Sequence, residues 1–254
     1  MTETDSAADG SGAGSTGSTG SDHTGQTTYE VYGRLRGAIL SGAFAPECAF
    51  SQVKLAQEFG VSRTPLREAL RLLEREGLIE STPNRKARVT SGSVADLDDL
   101  YGIRIALETL AISISVRQTT ADDLARLREL LDEMDRVAES RDTLAWEVPH
   151  GKFHATLIRH AGDRMTALAA TLRDHAQRYR AQVLVGPLAW ATGAREHADI
   201  VAAVVAGDPA LAAQRLALHY ARTALTLTAQ LAPGHDPVAI RGALQLARGA
   251  EPAG

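Results

Sequence analysis

Arg63, Thr64, Arg67 and Arg71 recur at intervals of three and four residues, the spacing that sets side chains on one side of an α-helix. A guanidinium on such a face can bond guanine in a bidentate fashion or clamp a phosphate. A second basic run, Arg85-Lys86-Ala87-Arg88, follows the turn Pro83-Asn84. Taken alone, these charges are equally well a solvated helix face and an ordinary surface hairpin. The elements that carry them have to decide.

Those elements form a recognisable order. Val31, Leu35, Ala38 and Ile39 share one face of a segment that ends at Gly42, which predicts a first amphipathic helix. Ser51 can cap a second helix, with Leu55, Ala56 and Phe59 inward and Gly60 as its left-handed stop. Ser62 or Thr64 can cap a third, with Pro65 in its first turn and Leu66, Ala69, Leu70 and Leu73 as the buried stripe. Two short helices joined by a Gly-containing turn are a helix-turn-helix signature, and the third helix leaves its arginines off the buried stripe at the end that faces base edges. The segment 78–82, the Pro83-Asn84 turn and the segment 85–89 read as a basic β-hairpin, the wing.

From residue 94 onward the texture changes to long Ala/Leu/Arg segments at helical period, predicting helices near 94–117, 121–139, 143–161, 164–185, 191–206 and 208–231. Residues 1–27 are Gly, Ser, Thr, Ala and Asp without apolar periodicity, which predicts a disordered tail. Pro233, Gly234 and Pro237 open a second tail over 232–254, with room for a short helix at 239–248. The expected domains are therefore a DNA-binding unit at 28–90 and a helical unit at 94–231.

The net charge of −4 over 254 residues argues against nucleic acid until it is divided along the chain. Residues 28–90 carry ten basic against seven acidic side chains, while the flanking parts are net acidic. The single cysteine, Cys48, cannot form an intrachain disulfide, and no apolar run reaches membrane-spanning length, so a cytoplasmic protein is expected.

Leu55-Ala56, the run from Gly60 through Leu70, Leu73 and Glu76-Gly77-Leu78-Ile79 resemble the N-terminal domain of GntR transcription regulators. The resemblance implies that Arg63, Thr64 and Arg67 meet double-stranded operator DNA; Arg71 on the same helix face and Ser62 at its start are expected to join them. Glu47 and Lys86 stand where that family commonly has glycine. This departure implies phosphate contacts by Arg85 and Lys86 in place of insertion of the wing into the minor groove.

The stretch 100–108, Phe153-His154, Ala161-Gly162-Asp163, Glu196-His197 with Ile200, Gly207-Asp208 and His219 resemble the all-helical FCD ligand-binding domain of the FadR-like branch. Many members hold a divalent metal there with an Asp and three histidines, the Asp four residues before the first histidine. In this chain that position is His150, so the implied ligands are His150, His154, His197 and His219. Four neutral imidazoles suit Zn, Ni or Cu better than Mg or Ca, with Zn or Ni foremost. His160 and His175, outside the motif, read as histidines satisfied by hydrogen bonds. Pro149 and Gly151 flank His150, and a proline there can kink the helix and swing His150 off the common face.

Arg104 lies among Ile103, Ile105 and Leu107. It either snorkels to water or captures an effector carboxylate, small organic acids being common effectors in this family.

The sequence thus predicts a mainly α protein, an N-terminal winged helix-turn-helix followed by a C-terminal all-helical bundle. The expected function is a homodimeric, sequence-specific transcription regulator, a repressor, whose operator affinity is set by a small ligand near a His-bound metal. Two other classes compete: a regulator whose signal is the metal itself, and a metal-dependent enzyme. Against the enzyme, His150 and His154 lack the adjacent Glu of HExxH sites, and no Ser-His-Asp or phosphate-loop pattern is present.

Overall fold

The computed structural model describes residues 20–82, 86–183 and 187–249. The chain runs α1 (Gly20–Leu40), β1 (Ala49–Ser51), α2 (Gln52–Phe59), α3 (Arg63–Arg75), β2 (Ile79–Thr82), β3 (Lys86–Val89), α4 (Val94–Val116), α5 (Ala121–Ser140), α6 (Thr143–Leu157), α7 (Asp163–Val183), α8 (Pro187–Val205), α9 (Pro209–Leu231) and α10 (Val238–Gly249).

Two hydrophobic cores divide these elements. In the first, Val31, Leu35 and Ile39 of α1 meet Leu55 and Ala56 of α2, Leu66, Ala69, Leu70 and Leu73 of α3, and Leu78, Ile79, Ala87 and Val89 of the hairpin. Gly60, at φ 65°, ends α2 in the left-handed conformation and turns the chain into α3, where Ser62 is the extended N-cap residue. The sheet has the order β1-β3-β2, antiparallel throughout, with Ala49 opposite Arg88 and Thr82 opposite Lys86. β1 has no counterpart in the sequence reading, because three residues are too few to show alternation.

Glu47 sits at φ 64°, a conformation that glycine would adopt without strain. Its N–H donates to the Val89 carbonyl at 3.0 Å and its carboxylate accepts from Arg88 at 2.9 Å. The glycine-type turn is therefore retained without the glycine.

The second core joins α4 to α10, with Tyr101, Ile105, Ile112, Phe153, Tyr179, Ile200, Leu216 and Leu227 among its buried members. Side-chain caps fix the helix starts: Ser93 accepts from the Asp96 N–H, Thr120 and Asp123 form a capping box, and Asp142 and Asp208 each accept two N–H groups. Among the described residues no helix is long and apolar enough to cross a membrane.

Three expectations differ from the structure. α1 begins at Gly20, inside the segment 1–27 expected to be a disordered tail; once the Val31, Leu35, Ile39 stripe is docked, extending the helix costs only propagation. Residues 1–19 lie outside the described residues. α6 ends at Leu157, four residues early, where the chain turns through Ile158 and Gly162 at φ 94°.

The segment 232–254, expected to be a tail with room for a short helix at 239–248, does hold that helix as α10, but it is no tail: Ile240 and Ala243 are buried against α4. Its anchor is tertiary: Asp98 of α4 accepts from the Ala239 N–H at 3.1 Å and the Ile240 N–H at 3.0 Å. A partner 142 residues away leaves no trace in the local pattern.

Candidate metal centre and nucleic-acid interface

His150 and His154 are brought together by α6, His197 comes from α8 and His219 from α9. All four rings are buried, and one nitrogen from each lies within 4.8 Å of the others. Helix α6 runs through Pro149, whose missing N–H leaves the Ala145 carbonyl without its helical donor. The kink considered from the sequence does not separate the pair: the Nε2 atoms of His150 and His154 are 3.1 Å apart.

The outer nitrogens fix the inner ones. His150 Nδ1 faces Glu147 Oε2 at 3.3 Å, and Glu147 is held by Arg180 through bonds of 2.8 and 2.7 Å. His219 Nδ1 faces Glu196 Oε2 at 2.8 Å, and Arg222 pairs with the same carboxylate. His154 Nδ1 faces the Tyr220 hydroxyl at 3.0 Å; that hydroxyl donates to Glu108 at 2.5 Å, and Glu108 accepts from Arg104 Nε at 2.9 Å.

A carboxylate can only accept, so the proton of His150 sits on Nδ1, and likewise that of His219. The Tyr220 proton is committed to Glu108, so His154 donates its Nδ1 proton to Tyr220. Each of these three rings therefore turns a lone pair on Nε2 inward. His197 Nε2 is buried with no hydrogen-bond partner.

Burial keeps these imidazoles neutral. It pushes His150 down to about 4, against the attraction of Glu147, and holds His154 and His197 well below the ordinary imidazole range, with the neighbouring rings adding to the effect. His219 is lowered by burial too, with Glu196 opposing. Glu147 lies far below the carboxylate range because Arg180 and His150 outweigh its burial. Two lone pairs 3.1 Å apart repel unless a cation lies between them, and the depressed basicity disfavours a proton in that place. The donor set fits a borderline transition ion: two nitrogens about 2.0–2.1 Å from a tetrahedral Zn are about 3.4 Å apart.

A cavity of about 460 Å³ opens onto His150, His197 and His219, with Trp146, Thr223 and Gln230 along its walls. Arg104 also lines it, yet its Nε is committed to Glu108 and its guanidinium carbon lies 4.1 Å from the Tyr220 ring centroid. Arg104 is therefore neither snorkelled to water nor a free cation. The sequence reading missed Glu147, Glu196, Tyr220 and Glu108 as orienting partners. The signal was there: Glu147 precedes His150 by one helical turn, and Glu196 and Tyr220 adjoin His197 and His219.

On the other body, Arg63, Thr64, Arg67 and Arg71 are exposed on α3, off its buried stripe, and Ser62 is exposed at its N-cap. Ser62 makes no side-chain cap bond. Arg71 meets Glu68 at 2.9 Å and Arg67 lies 3.8 Å from it, exposed pairs of little net strength. Lys86 is exposed at the start of β3, and Arg85 lies outside the described residues.

Residues 27–89 match the bacterial regulatory proteins of the gntR family and residues 99–222 match the FCD domain. The HTH-type transcriptional regulator YdhC of Bacillus subtilis (strain 168) is 34% identical over 137 residues, 53% of this chain and 61% of that protein, so the chain spans somewhat less than two thirds of its length. An HTH-type transcriptional regulator from an unstable DNA locus of Streptomyces ambofaciens is 31% identical over 194 residues, 75% of this chain and 80% of that protein. The structure of E. coli McbR/YncC shares the fold, with a TM-score of 0.72 at 23% identity, covering 80% of this chain and 98% of that one. With its winged helix-turn-helix, its helical ligand domain and these relatives, the chain belongs to the GntR family of bacterial transcription regulators, in the group that carries an FCD domain.

Proposed function

We propose that this regulator is a repressor that binds double-stranded operator DNA through α3. Its grip is set by a small organic acid bound beside a transition metal, Zn or Ni, on His150, His154, His197 and His219. The observation that carries the reading is the inward convergence of imidazole lone pairs at the floor of the cavity. A metal there would supply a Lewis-acidic site for a carboxylate oxygen.

The chain's own residues do the rest. Glu147, Glu196 and Tyr220 orient the ligating rings, and Trp146 and the α9 threonines shape the space above them. Arg104 serves as a buried wall that keeps Glu108, and through it Tyr220, in place.

Repression is favoured by similar proteins that carry the name, among them GlaR of E. coli at 27% identity over 92% of its length. Operator recognition by two copies accords with half-sites that mirror a two-fold protein. Ile103 and Leu110, seven residues apart and each 52% exposed on α4, offer an apolar seam for the second copy. Domain matches and relatives are those of regulators and not of enzymes.

A thermal-shift screen of organic acids, run on metal-loaded and on chelated protein, tests the reading. Stabilisation by an acid only in the loaded protein supports it. Equal stabilisation after chelation removes the metal from effector binding.

A further inference from the structure

We infer that helix α7 is the element through which the histidine site acts on the DNA-binding body, with Asp174, Arg178, Tyr179 and Arg180 as its positioning residues. The inference rests on the reading of the histidine cluster as an occupied ligand site.

Two sets of contacts meet within seven residues of one helix. Toward the site, Arg180 grips Glu147 with two hydrogen bonds, and Glu147 accepts from His150. Toward the other body, Tyr179 is buried and its hydroxyl donates to Asp96 and approaches the Ser93 carbonyl at 3.3 Å. Its ring lies so close to Gly92 that a Cβ there would come within 2.4 Å. Arg178 donates to Thr90 at 3.1 Å and to Asp96 at 2.8 Å. One turn earlier, Asp174 accepts from Arg36 of α1 at 2.5 Å.

The far ends of these contacts converge on the C-terminus of the recognition helix α3. Arg36 Nε donates at 2.9 Å to Glu76, the C-cap residue of α3, and Tyr32 pairs with the same carboxylate. Thr90 donates its hydroxyl proton to the Gly77 carbonyl at 2.7 Å. Asp174 and Arg180 are about 9 Å apart along the helix axis, a rise too short and stiff to absorb a shift. With the histidine site loaded, the Nδ1–H of His150 would be a stronger donor to Glu147. The carboxylate then moves toward the ring, Arg180 follows it, and α7 carries Tyr179, Arg178 and Asp174 along. Since the packed linker at Gly92 leaves no slack, the displacement arrives at Glu76 and Gly77.

The test compares amide hydrogen exchange of the full chain with Zn²⁺ and with excess chelator, in the natural sequence and in the Asp174→Ala/Arg178→Ala double variant, which cuts both the Arg36–Glu76 and the Thr90–Gly77 routes. Zn²⁺ uptake is measured alongside by elemental analysis. The expected result is that Zn²⁺ changes exchange at residues 76–78 and 90–93 by about five-fold or more in the natural sequence. The double variant should take up the same Zn²⁺ per chain and lose that change. Should the double variant misfold by circular dichroism, Arg178→Ala alone, which severs the Thr90–Gly77 route, is read in its place and is expected to at least halve the change at 76–78. Zn²⁺ bound with no change at 76–78 and 90–93, or a change that survives in the variants, overturns the relay while leaving the site intact. No Zn²⁺ uptake by the natural sequence overturns the site, and the relay with it.

Discussion

The Nε2 atoms of His150 and His154 face each other at 3.1 Å, each turned inward because the other ring nitrogen is engaged by Glu147 or Tyr220. That arrangement makes the outer partners as testable as the four rings. Glu147→Gln removes the charge that fixes the His150 proton on Nδ1 and is expected to weaken metal affinity by about 10–100-fold. His197→Ala, which removes the ring with the orphaned nitrogen, should lower bound metal in elemental analysis. Full retention in both would place the ion elsewhere.

The same burial dictates the acid response of the metal-free protein. On unfolding, His150 returns from about 4 to an ordinary value of 6.5, so between these limits the unfolded chain binds more protons than the folded one. Stability of the chelated protein should therefore be complete above about pH 6.5 and fall as the pH drops toward 4, by up to about 1.4 kcal/mol per pH unit for each such ring. Urea titrations at pH 7.5, 6 and 5 measure the slope. A stability that is flat across this window would show that the rings are solvated and not buried.

The parts of this architecture that were legible in the sequence are those written in local periodicity. The stripe Leu66, Ala69, Leu70, Leu73 and the glycine stop at 60 place α3 and leave Arg63 and Arg67 outside, as found. Glu147 could have been read the same way, one turn from His150. Asp98 under α10, Glu108 under Tyr220 and Asp174 under Arg36 could not, since each joins residues more than a hundred positions apart. Arg104 shows the limit for charges: sequence gives a cation on an apolar helix, but only the fold shows that Glu108, four residues on, is buried with it.

Arg67 gives the sharpest test of the DNA surface. It is 58% exposed, held among the described residues only by a distant contact with Glu68, and lies off the buried stripe of α3. Arg67→Ala should leave thermal stability unchanged and weaken operator binding by about 1–3 kcal/mol if it reads a base. Were it a phosphate contact, the loss would be uniform across sequences and the salt dependence shallower, which binding isotherms at two salt concentrations distinguish.

Gly102 tests whether α10 is a true part of the helical body. The glycine faces Ala239, and a Cβ built on it would stand 2.9 Å from the Ala239 Cβ and 3.1 Å from its carbonyl carbon, where backbone cannot yield cheaply. Ala239 is also the residue whose N–H donates to Asp98, so pushing it away lengthens the cap that starts α10. Gly102→Ala raises intrinsic helix propensity in α4 by about 0.8–1.0 kcal/mol, and on an undocked helix it would stabilise. Overpacking typically costs about 1–3 kcal/mol, and loss of a charged cap adds to it. The two effects have opposite signs, so net destabilisation in urea unfolding establishes that α10 is seated on α4, and net stabilisation shows that it is not.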